Sequence, residues 1–315
     1  MKDNTAPLRD KARALLADKA ACVIGHARDR DGLRARPHFA KDERGVGALI
    51  LDATCHHNLA KYLLDYPYLE AKVGIVLKGC DALALERLVA DRRVDRAKVV
   101  PIGAPCAGMA DPVKLQALFP GGVTAVASGP DGFTVTTAAG RQPPAPRAGL
   151  LLERCQACHQ ATPPDTELLA EPVAAPTVGP AAEVARISAL PPADRLSFWQ
   201  GQFSRCIRCY ACRNVCPACS CRECVFDQFQ PNWLGRRTGL AQTQVFHLTR
   251  AFHVAGRCVD CGECDRVCPV GLPLSALNRK LLQDAGELFK LAEPWRPGTT
   301  EPLGTYKLDD PEEFM

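Results

Sequence analysis

Two closely spaced runs of cysteine constrain the fold of this 315-residue chain more than any other feature of its sequence. They read CIRCYACRNVCP and CVDCGECDRVCP, and both have the spacing C-x2-C-x2-C-x3-C-P. The cysteines of the first run are Cys206, Cys209, Cys212 and Cys216, and those of the second are Cys258, Cys261, Cys264 and Cys268. Because the thiols of a run stand so close along the chain, the local backbone has to wrap around whatever they bind.

This spacing is typical of domains that hold two 4Fe–4S clusters, in which the fourth cysteine of each run ligates the other cluster. We therefore predict cluster A on Cys206, Cys209, Cys212 and Cys268, and cluster B on Cys258, Cys261, Cys264 and Cys216. Zinc is the alternative. Structural zinc sites combine two C-x2-C pairs, whereas here two four-cysteine runs are each closed by proline, so iron–sulfur clusters are favoured.

The cellular compartment expected from the sequence favours metal binding by the 17 cysteines over disulfide formation. The N-terminal sequence MKDNTAPLRDKARALLADKAACVIGH has no apolar core of a signal peptide and no cleavage pattern, which predicts a cytoplasmic protein. Clustered thiols in a reducing compartment bind metals more often than they form disulfides. With a net charge of +4 and only 6% aromatic residues, the chain is not expected to bind nucleic acid. No apolar run is long enough to predict a membrane span.

Residues 1–145 have the pattern of an α/β domain with a mostly parallel sheet. Short apolar runs predict buried strands, and a segment with helical spacing lies between the last two. The runs are ACVIG (21–25), ALILD (48–52), KVGIVLKG (72–79) and KVVPIGAP (98–105). A hairpin is expected around Gly129, Pro130, Asp131 and Gly132.

The rest of the chain divides into three further segments. Residues 146–195 hold a cysteine pair followed by a Pro/Ala-rich stretch, of which residues 161–193 are expected to be an extended linker. Residues 196–285 are predicted to form a helical domain with two clusters, and 286–315 an acidic tail that docks a partner or is disordered. With helices before, between and after its runs, the third segment resembles the α-helical ferredoxin module of succinate dehydrogenase and heterodisulfide reductase subunits.

Three stretches of the N-terminal half carry a further resemblance: KVGIVLKGCDALALERL, KVVPIGAPCAGM and ERCQACHQATPPD. With these stretches, the N-terminal half resembles the β-subunit family of coenzyme F420-reducing hydrogenase and F420-dependent formate dehydrogenase. The resemblance implies bound FAD and one further 4Fe–4S cluster, cluster C, on Cys80, Cys106, Cys155 and Cys158.

The residues themselves leave alternatives for these four cysteines. Cys80 and Cys106 each follow a strand-like run, which predicts a position at the C-terminal edge of a parallel sheet, where such sheets bind ligands. Both are equally small enough to be buried core residues. CQACH (155–159) also has the form of a haem-attachment motif, although no export signal accompanies it, or of a zinc knuckle.

Five cysteines remain. A fourth cluster, D, would use Cys55, Cys219, Cys221 and Cys224. In the alternative, the last three bind zinc or nothing. Cys22 lies within an apolar run and is expected in the core. His247 and His253 are expected to be core or edge residues of a helix rather than ligands.

Evidence for a flavin is weaker, because no GxGxxG follows a strand. GLRARPHF (32–39) and HHNLAKYL (56–63) supply Arg, Asn and Lys side chains that would suit phosphates, or they form an ordinary solvated loop and the start of a helix.

These features predict an electron-transfer subunit with three to four 4Fe–4S clusters. Its expected partners are the subunits of an anaerobic formate dehydrogenase, hydrogenase or heterodisulfide-reductase-like complex. The alternative is a flavoenzyme that takes hydride from F420 or NAD(P)H and passes electrons to its clusters. A zinc-dependent scaffold is the third hypothesis. The sequence does not identify the donor, the acceptor or the direction of electron flow.

Overall fold

The chain forms two units in a computed structural model that describes residues 4–31, 33–65, 71–129, 132–175, 182–235 and 237–291. The first unit comprises Met1–Leu85 and Arg92–Gly179, and the second comprises Glu86–Asp91 and Pro180–Met315. The cysteine pair at 155 and 158 therefore belongs to the first unit.

Sixteen helices and strands lie in the described part of the chain before residue 180. In chain order they are α1 (Thr5–Ala17), β1 (Cys22–Arg28), β2 (Ala35–Ala40), α2 (Glu43–Ala48), β3 (Leu49–Ile50), α3 (Tyr62–Asp65), β4 (Val73–Leu77), α4 (Gly79–Ala90), β5 (Val99–Gly103), α5 (Pro112–Leu118), β6 (Ala125–Gly129), β7 (Gly132–Thr137), β8 (Gly140–Arg141), α6 (Arg147–Leu150), α7 (Glu153–Gln156) and β9 (Glu167–Leu168).

The larger sheet has the strand order β2-β1-β4-β5-β9, and β3 pairs with β1 at His26 and Ala27, on the edge of β1 opposite β2. β1, β4, β5 and β9 run parallel, whereas β2 and β3 are antiparallel to β1. All five residues of β4 are buried, as expected for a parallel strand covered on both faces. The predicted α/β fold with a mostly parallel sheet is confirmed, and β4 and β5 end beside each other at Leu77 and Gly103.

Two local expectations were wrong. Residues 35–39 of GLRARPHF belong to strand β2, because β1 offers an antiparallel partner from Val23 to Arg28. Residues 161–193 are not an extended linker throughout, since β9 extends the sheet parallel to β5 and a helix begins at Ala182. The strand expected at 48–52 is confined to β3.

The expected hairpin is confirmed by the antiparallel pairing of β6 with β7, from Ala125↔Thr136 to Gly129↔Gly132. Pro130 and Asp131 lie outside the described residues. Gly132 has φ +137°, and a Cβ at this position would lie 2.1 Å from the carbonyl oxygen of Ala145. Only glycine fits here, which explains the Gly at this turn.

The described part of the second unit is helical. Its helices are α8 (Ala182–Ser188), α9 (Pro192–Ser204), α10 (Ala211–Asn214), α11 (Leu240–Val254), α12 (Glu263–Arg266) and α13 (Leu274–Phe289). The longer helices α9, α11 and α13 surround a core of Phe203, Phe246, Leu272 and Leu274 that also contains cysteine side chains of both runs. The acidic tail expected at 286–315 lies outside the described residues from 292 onward. None of the described helices is both long and apolar enough to cross a membrane.

Candidate metal centres

The two cysteine runs have the same backbone geometry. Arg208 and Tyr210 flank Cys209 with φ of 52° and 60°, and Asp260 and Gly262 flank the corresponding Cys261 with φ of 51° and 62°. Three of these four residues carry a Cβ, for which a positive φ costs free energy. Backbone strain of this kind persists only where the surroundings impose it, so the repeated left-handed pairs indicate loops shaped around a bound group.

Backbone amides of these loops point at the thiols. The N–H of Arg208 donates to Cys206 Sγ at 3.3 Å, and the N–H of Asp260 donates to Cys258 Sγ at 3.4 Å. The N–H of Leu272 likewise donates to Cys268 Sγ at 3.3 Å. Such N–H···S hydrogen bonds stabilise thiolates and tune the potential of a cluster bound to them.

The thiols predicted for cluster A surround one cavity. Cys206, Cys209, Cys212 and Cys268 line a space of about 310 Å³ together with apolar side chains such as Phe246 and Leu274. His247 lines the same cavity, and its Nε2 lies 3.2 Å from Cys206 Sγ. Burial and the charge of Arg250 lower the pKa of His247 to about 4, so the ring is neutral at pH 7. The sequence predicted a core or edge position for His247, but not this contact with a thiol.

The thiols predicted for cluster B surround a second cavity, of about 360 Å³. Its lining includes Cys258, Cys261, Cys264 and Cys216. Asn278 also lines it, with Nδ2 3.8 Å from Cys264 Sγ. The structure thus places Cys216 of the first run with the second set and Cys268 of the second run with the first set. This arrangement is the exchange that the spacing predicts, while ligation itself stays a prediction.

Burial raises the pKa of several of these thiols, because the charged form loses its hydration. Burial raises the pKa of Cys258 to about 12 and that of Cys212 to about 11. Cys216 is the exception, because a hydrogen bond with the side chain of Cys219 lowers its pKa. Thiolates this deeply buried require positive charge beside them, which cluster iron supplies. No three His, Cys, Asp or Glu side chains within the described ranges lie close enough to bind a single metal ion.

The cysteines predicted for cluster C meet at the C-terminal edge of the larger sheet. Cys80 is the second residue of α4, directly after β4, and Cys106 follows β5. Cys155 lies on α7, with Cys158 just beyond that helix. The Cys106 thiol interacts electrostatically with Cys155 and Cys158, and that of Cys80 interacts with Cys106. Burial, then Cys155, raises the pKa of Cys106 to about 12. The fold therefore gathers four thiols that are far apart in sequence.

Glycine residues allow the segments that carry these four thiols to approach one another closely. A Cβ on Gly79 would lie 1.9 Å from the carbonyl oxygen of Gln160, so only glycine lets the segment after Cys158 pass so close to the start of α4. Gly108 has φ +102°, and a Cβ there would lie 2.5 Å from Leu151 Cδ2. The N–H of Gly108 donates to Cys106 Sγ and that of Met109 to Cys155 Sγ, each at 3.4 Å.

A buried ion pair adjoins these thiols. Lys78 Nζ lies 2.7 Å from Asp81 Oδ2, with the side chains 2% and 0% exposed. Nζ also donates to the carbonyl oxygen of His57 at 2.9 Å. Asn58 Nδ2 donates to the carbonyl oxygen of Cys80 at 3.2 Å. Lys78 was not predicted as a site residue from the sequence. Its only signal there is that it is a Lys in an otherwise apolar strand run.

The cysteines predicted for cluster D are divided between the two units. Cys55 is fully buried in the first unit, where its Sγ accepts from the N–H of Asp52 at 3.4 Å. Cys219, Cys221 and Cys224 belong to the second unit. Ligation of one cluster by all four stays a prediction. Cys22 is fully buried on β1, as expected of a core residue.

One further cavity lies in the first unit. Arg9, Arg28 and Arg141 line it, along with Asp52 and Ser128. Arg28 is paired with Asp52, whereas the buried Ser128 hydroxyl makes no hydrogen bond to any described residue. Of the residues suggested for a flavin phosphate, Arg36 lies on β2 and Asn58 binds Cys80, so neither lines this cavity.

Comparisons with known proteins agree with this description. Residues 202–272 match the model of the 4Fe-4S dicluster domain. The chain is 31% identical over 86 residues to the F420-dependent formate dehydrogenase subunit beta of Methanocaldococcus jannaschii, covering 27% of this chain and 22% of the relative. It is 62% identical over 26 residues to the F420-dependent formate dehydrogenase 1 subunit beta of Methanococcus maripaludis, which is 8% of this chain and 7% of the relative.

Among solved structures, a chain of the F420-reducing NiFe hydrogenase complex from Methanosarcina barkeri matches with a TM-score of 0.40 and 18% identity, over 50% of this chain and 59% of that chain. The matches to the formate dehydrogenase subunits span about a fifth of those relatives or less. Within those stretches, the predicted resemblance to this β-subunit family is confirmed, as is the dicluster domain.

Proposed function

We propose that the chain is an iron–sulfur electron-transfer subunit of an oxidoreductase complex. The observation that carries this proposal is the pair of four-thiol cavities within the 4Fe-4S dicluster domain. In each cavity the fourth thiol comes from the other run. A chain with two such sites, joined in one small helical unit, is suited to pass electrons from one site to the other.

The residues of the chain set the conditions for that transfer. When bound, a 4Fe–4S cluster takes up and releases one electron at a time, so a two-electron donor has to deliver its electrons singly. Phe246, Leu272 and Leu274 supply apolar surface to the cavity of cluster A. The backbone N–H groups of Arg208 and Asp260 point at thiols that the bound clusters would use. Fixed donors in an apolar surrounding keep the reorganisation that accompanies each electron small.

A third cluster in the first unit extends the proposal. Its support is the meeting of Cys80, Cys106, Cys155 and Cys158 at the sheet edge, with Lys78 and Arg154 as the cations that interact with the Cys80 thiol. Cluster D would bring the total to four. Clusters C and D are part of the proposal. The path by which electrons pass between the clusters is also part of it.

The partners and setting are proposed from the relatives. Two relatives are named as subunits of F420-dependent formate dehydrogenase, and the structural match comes from an F420-reducing hydrogenase complex. We infer a complex with formate dehydrogenase, hydrogenase or heterodisulfide-reductase-like subunits, in anaerobic metabolism. The cytoplasmic location expected from the sequence stays a prediction.

Spectroscopy of the anaerobically purified full-length chain tests the proposal. Dithionite reduction should bleach a broad visible absorption and produce the EPR spectrum of magnetically interacting reduced 4Fe–4S clusters. The zinc alternative predicts colourless protein that contains zinc and gives no such spectrum, and this result would overturn the proposal.

A flavoenzyme is the second candidate, and the arginine-lined cavity favours it. Arg9 and Arg141 are cationic side chains there, and the unpartnered Ser128 hydroxyl faces the same space, which suits a phosphate-bearing cofactor. A flavin supplies conversion of a hydride into two single electrons. Acid release from the purified complex should then yield about one flavin per chain by fluorescence, and Arg9→Gln should reduce that yield. Flavin-free complex with full iron content would leave only the first function.

A further inference from the structure

Arg250 is a buried cation that forms no ion pair with any carboxylate of the described residues. It lies on α11 and is 4% exposed. Its Nη2 donates to the carbonyl oxygen of Cys212 at 3.1 Å. Its Nε is buried and has no hydrogen-bond partner among the described residues, and none of their carboxylates forms an ion pair with it. A guanidinium stays charged at all ordinary pH values.

The carbonyl that accepts from Arg250 belongs to Cys212, which lies one helical turn before Cys216, so the guanidinium is held against the segment that supplies thiols to both cavities. Burial lowers the pKa of Arg250, but Cys216, Cys219, Cys264 and Cys212 raise it further, and the net direction is upward. Cys212 belongs to the set of cluster A, whereas Cys216 and Cys264 belong to that of cluster B. The positive charge therefore lies within electrostatic reach of both four-thiol sets.

Another arginine of the same unit shows how the charge of a buried cation is usually balanced. Arg279 Nε lies 2.5 Å from Asp260 Oδ1, so its charge is balanced by a carboxylate. Burying an unbalanced charge is strongly unfavourable. Among the described residues, the groups that balance Arg250 are thiolates, and two thiolate-ligated clusters carry that negative charge in the loaded protein.

We propose that Arg250 is a shared counter-ion of clusters A and B, which raises the reduction potentials of both. It acts as a positioning and tuning residue rather than a catalytic one. The inference rests on the proposed function, because it requires both clusters to be bound. Reduction adds negative charge to a cluster, so a fixed cation nearby favours the reduced state of each.

His247 gives an internal comparison, because it lies one turn before Arg250 on the same helix. Its Nε2 contacts Cys206 of the cluster A set, and its ring stacks on Phe203 at 4.9 Å between centroids. Phenylalanine in its place keeps the stacking and removes the contact with sulfur. The two substitutions should therefore differ in the number of clusters that they affect.

The experiment is an EPR-monitored redox titration of the full-length chain, purified anaerobically with its clusters. Arg250→Met should move two midpoint potentials to more negative values, and His247→Phe should move only one. Arg250→Lys keeps the charge and should leave both potentials close to those of the native chain. If Arg250→Met does not retain its iron, Arg250→Gln takes its place, since the amide can still donate to the carbonyl oxygen of Cys212, and the same two shifts are expected.

Unchanged potentials in a neutral variant with full iron content would overturn the inference, as would a shift of only one. Equal shifts in the Lys and Met variants would also overturn it, because the hydrogen bond rather than the charge would then be responsible. Failure of the proposed function would give a different result from failure of this inference. The native chain itself would then show no cluster signals, before any variant is compared.

Discussion

The two places where thiols gather in this protein are built in different ways. In the second unit, each cavity takes three of its four cysteines from one short run, and a repeated loop with left-handed residues holds them in place. In the first unit, Cys80, Cys106 and the pair at 155 and 158 come from separate elements that meet only because β4 and β5 are parallel neighbours. One site is local, and the other depends on the whole sheet.

The charges around the two sites differ as well. In the first unit the buried cation Lys78 is paired with Asp81, so the pair carries no net charge beside the thiols. In the described part of the second unit, Arg250 has no carboxylate partner. We expect the local site to depend on its own ligands, and the sheet-edge site to depend also on the fold that supports it.

The largest effect is expected from Cys106→Ser. This change removes one thiol of the sheet-edge set and should cost about four irons per chain, with the EPR signals of the dicluster domain retained. Cys22→Ser is the matched control, because Cys22 is a buried core cysteine of the same sheet. It should leave the iron content unchanged, and a loss of iron equal to that of Cys106→Ser would show that the sheet-edge set has been misassigned.

Cys216→Ala tests the exchange between the two runs. Its thiol lines the cavity of the second set, so the variant should damage cluster B and spare cluster A. Cys219 contacts Cys216 and is positioned to replace it, so the loss should become complete only in the double variant with Cys219→Ala. Cys219→Ala alone is the control for cluster B, whose EPR signal it should retain. Selective loss of the cluster A signal would contradict the exchanged ligation.

Lys78→Met tests the dependence of the sheet-edge site on its surroundings. The change leaves the carboxylate of Asp81 buried without its cation, which should destabilise the protein by about 3–5 kcal/mol. Urea denaturation followed by circular dichroism measures this. Adding Asp81→Asn should recover much of the loss, because the amide oxygen can still accept from the N–H of Lys78. A Lys78→Met variant as stable as the native protein would argue against a structural role for the pair.

The smallest effect concerns the pH dependence of stability. Burial, together with Lys78, His57 and His56, lowers the pKa of His26 well below its usual 6.5. Below pH 6.5 the unfolded chain therefore binds a proton that the folded chain does not, and stability falls as the pH decreases. His26→Leu should be less sensitive to pH between about 7 and 5, as measured by urea midpoints. Identical pH profiles would contradict a buried neutral His26.

The sequence predicted most where the chemistry is local. The two C-x2-C-x2-C-x3-C-P runs identified the dicluster domain and its exchanged thiols, because neighbours in sequence are neighbours in space there. It predicted β4 and β5 from their apolar residues, but not β2, whose ARPHFA is broken by proline and arginine and forms a strand only because β1 offers a partner. It also missed Arg250, which lies on a helix without a distinguishing pattern around it, and Lys78, whose only signal was the apolar strand run that precedes it.

The central claim is that one chain holds a local pair of clusters and a further cluster assembled by the fold. Iron and acid-labile sulfide per chain, measured on anaerobically purified full-length protein, test it most directly. The account predicts about twelve of each, or about sixteen if Cys55, Cys219, Cys221 and Cys224 hold a fourth cluster. About eight of each would contradict it, because the thiols at the sheet edge would then hold no cluster.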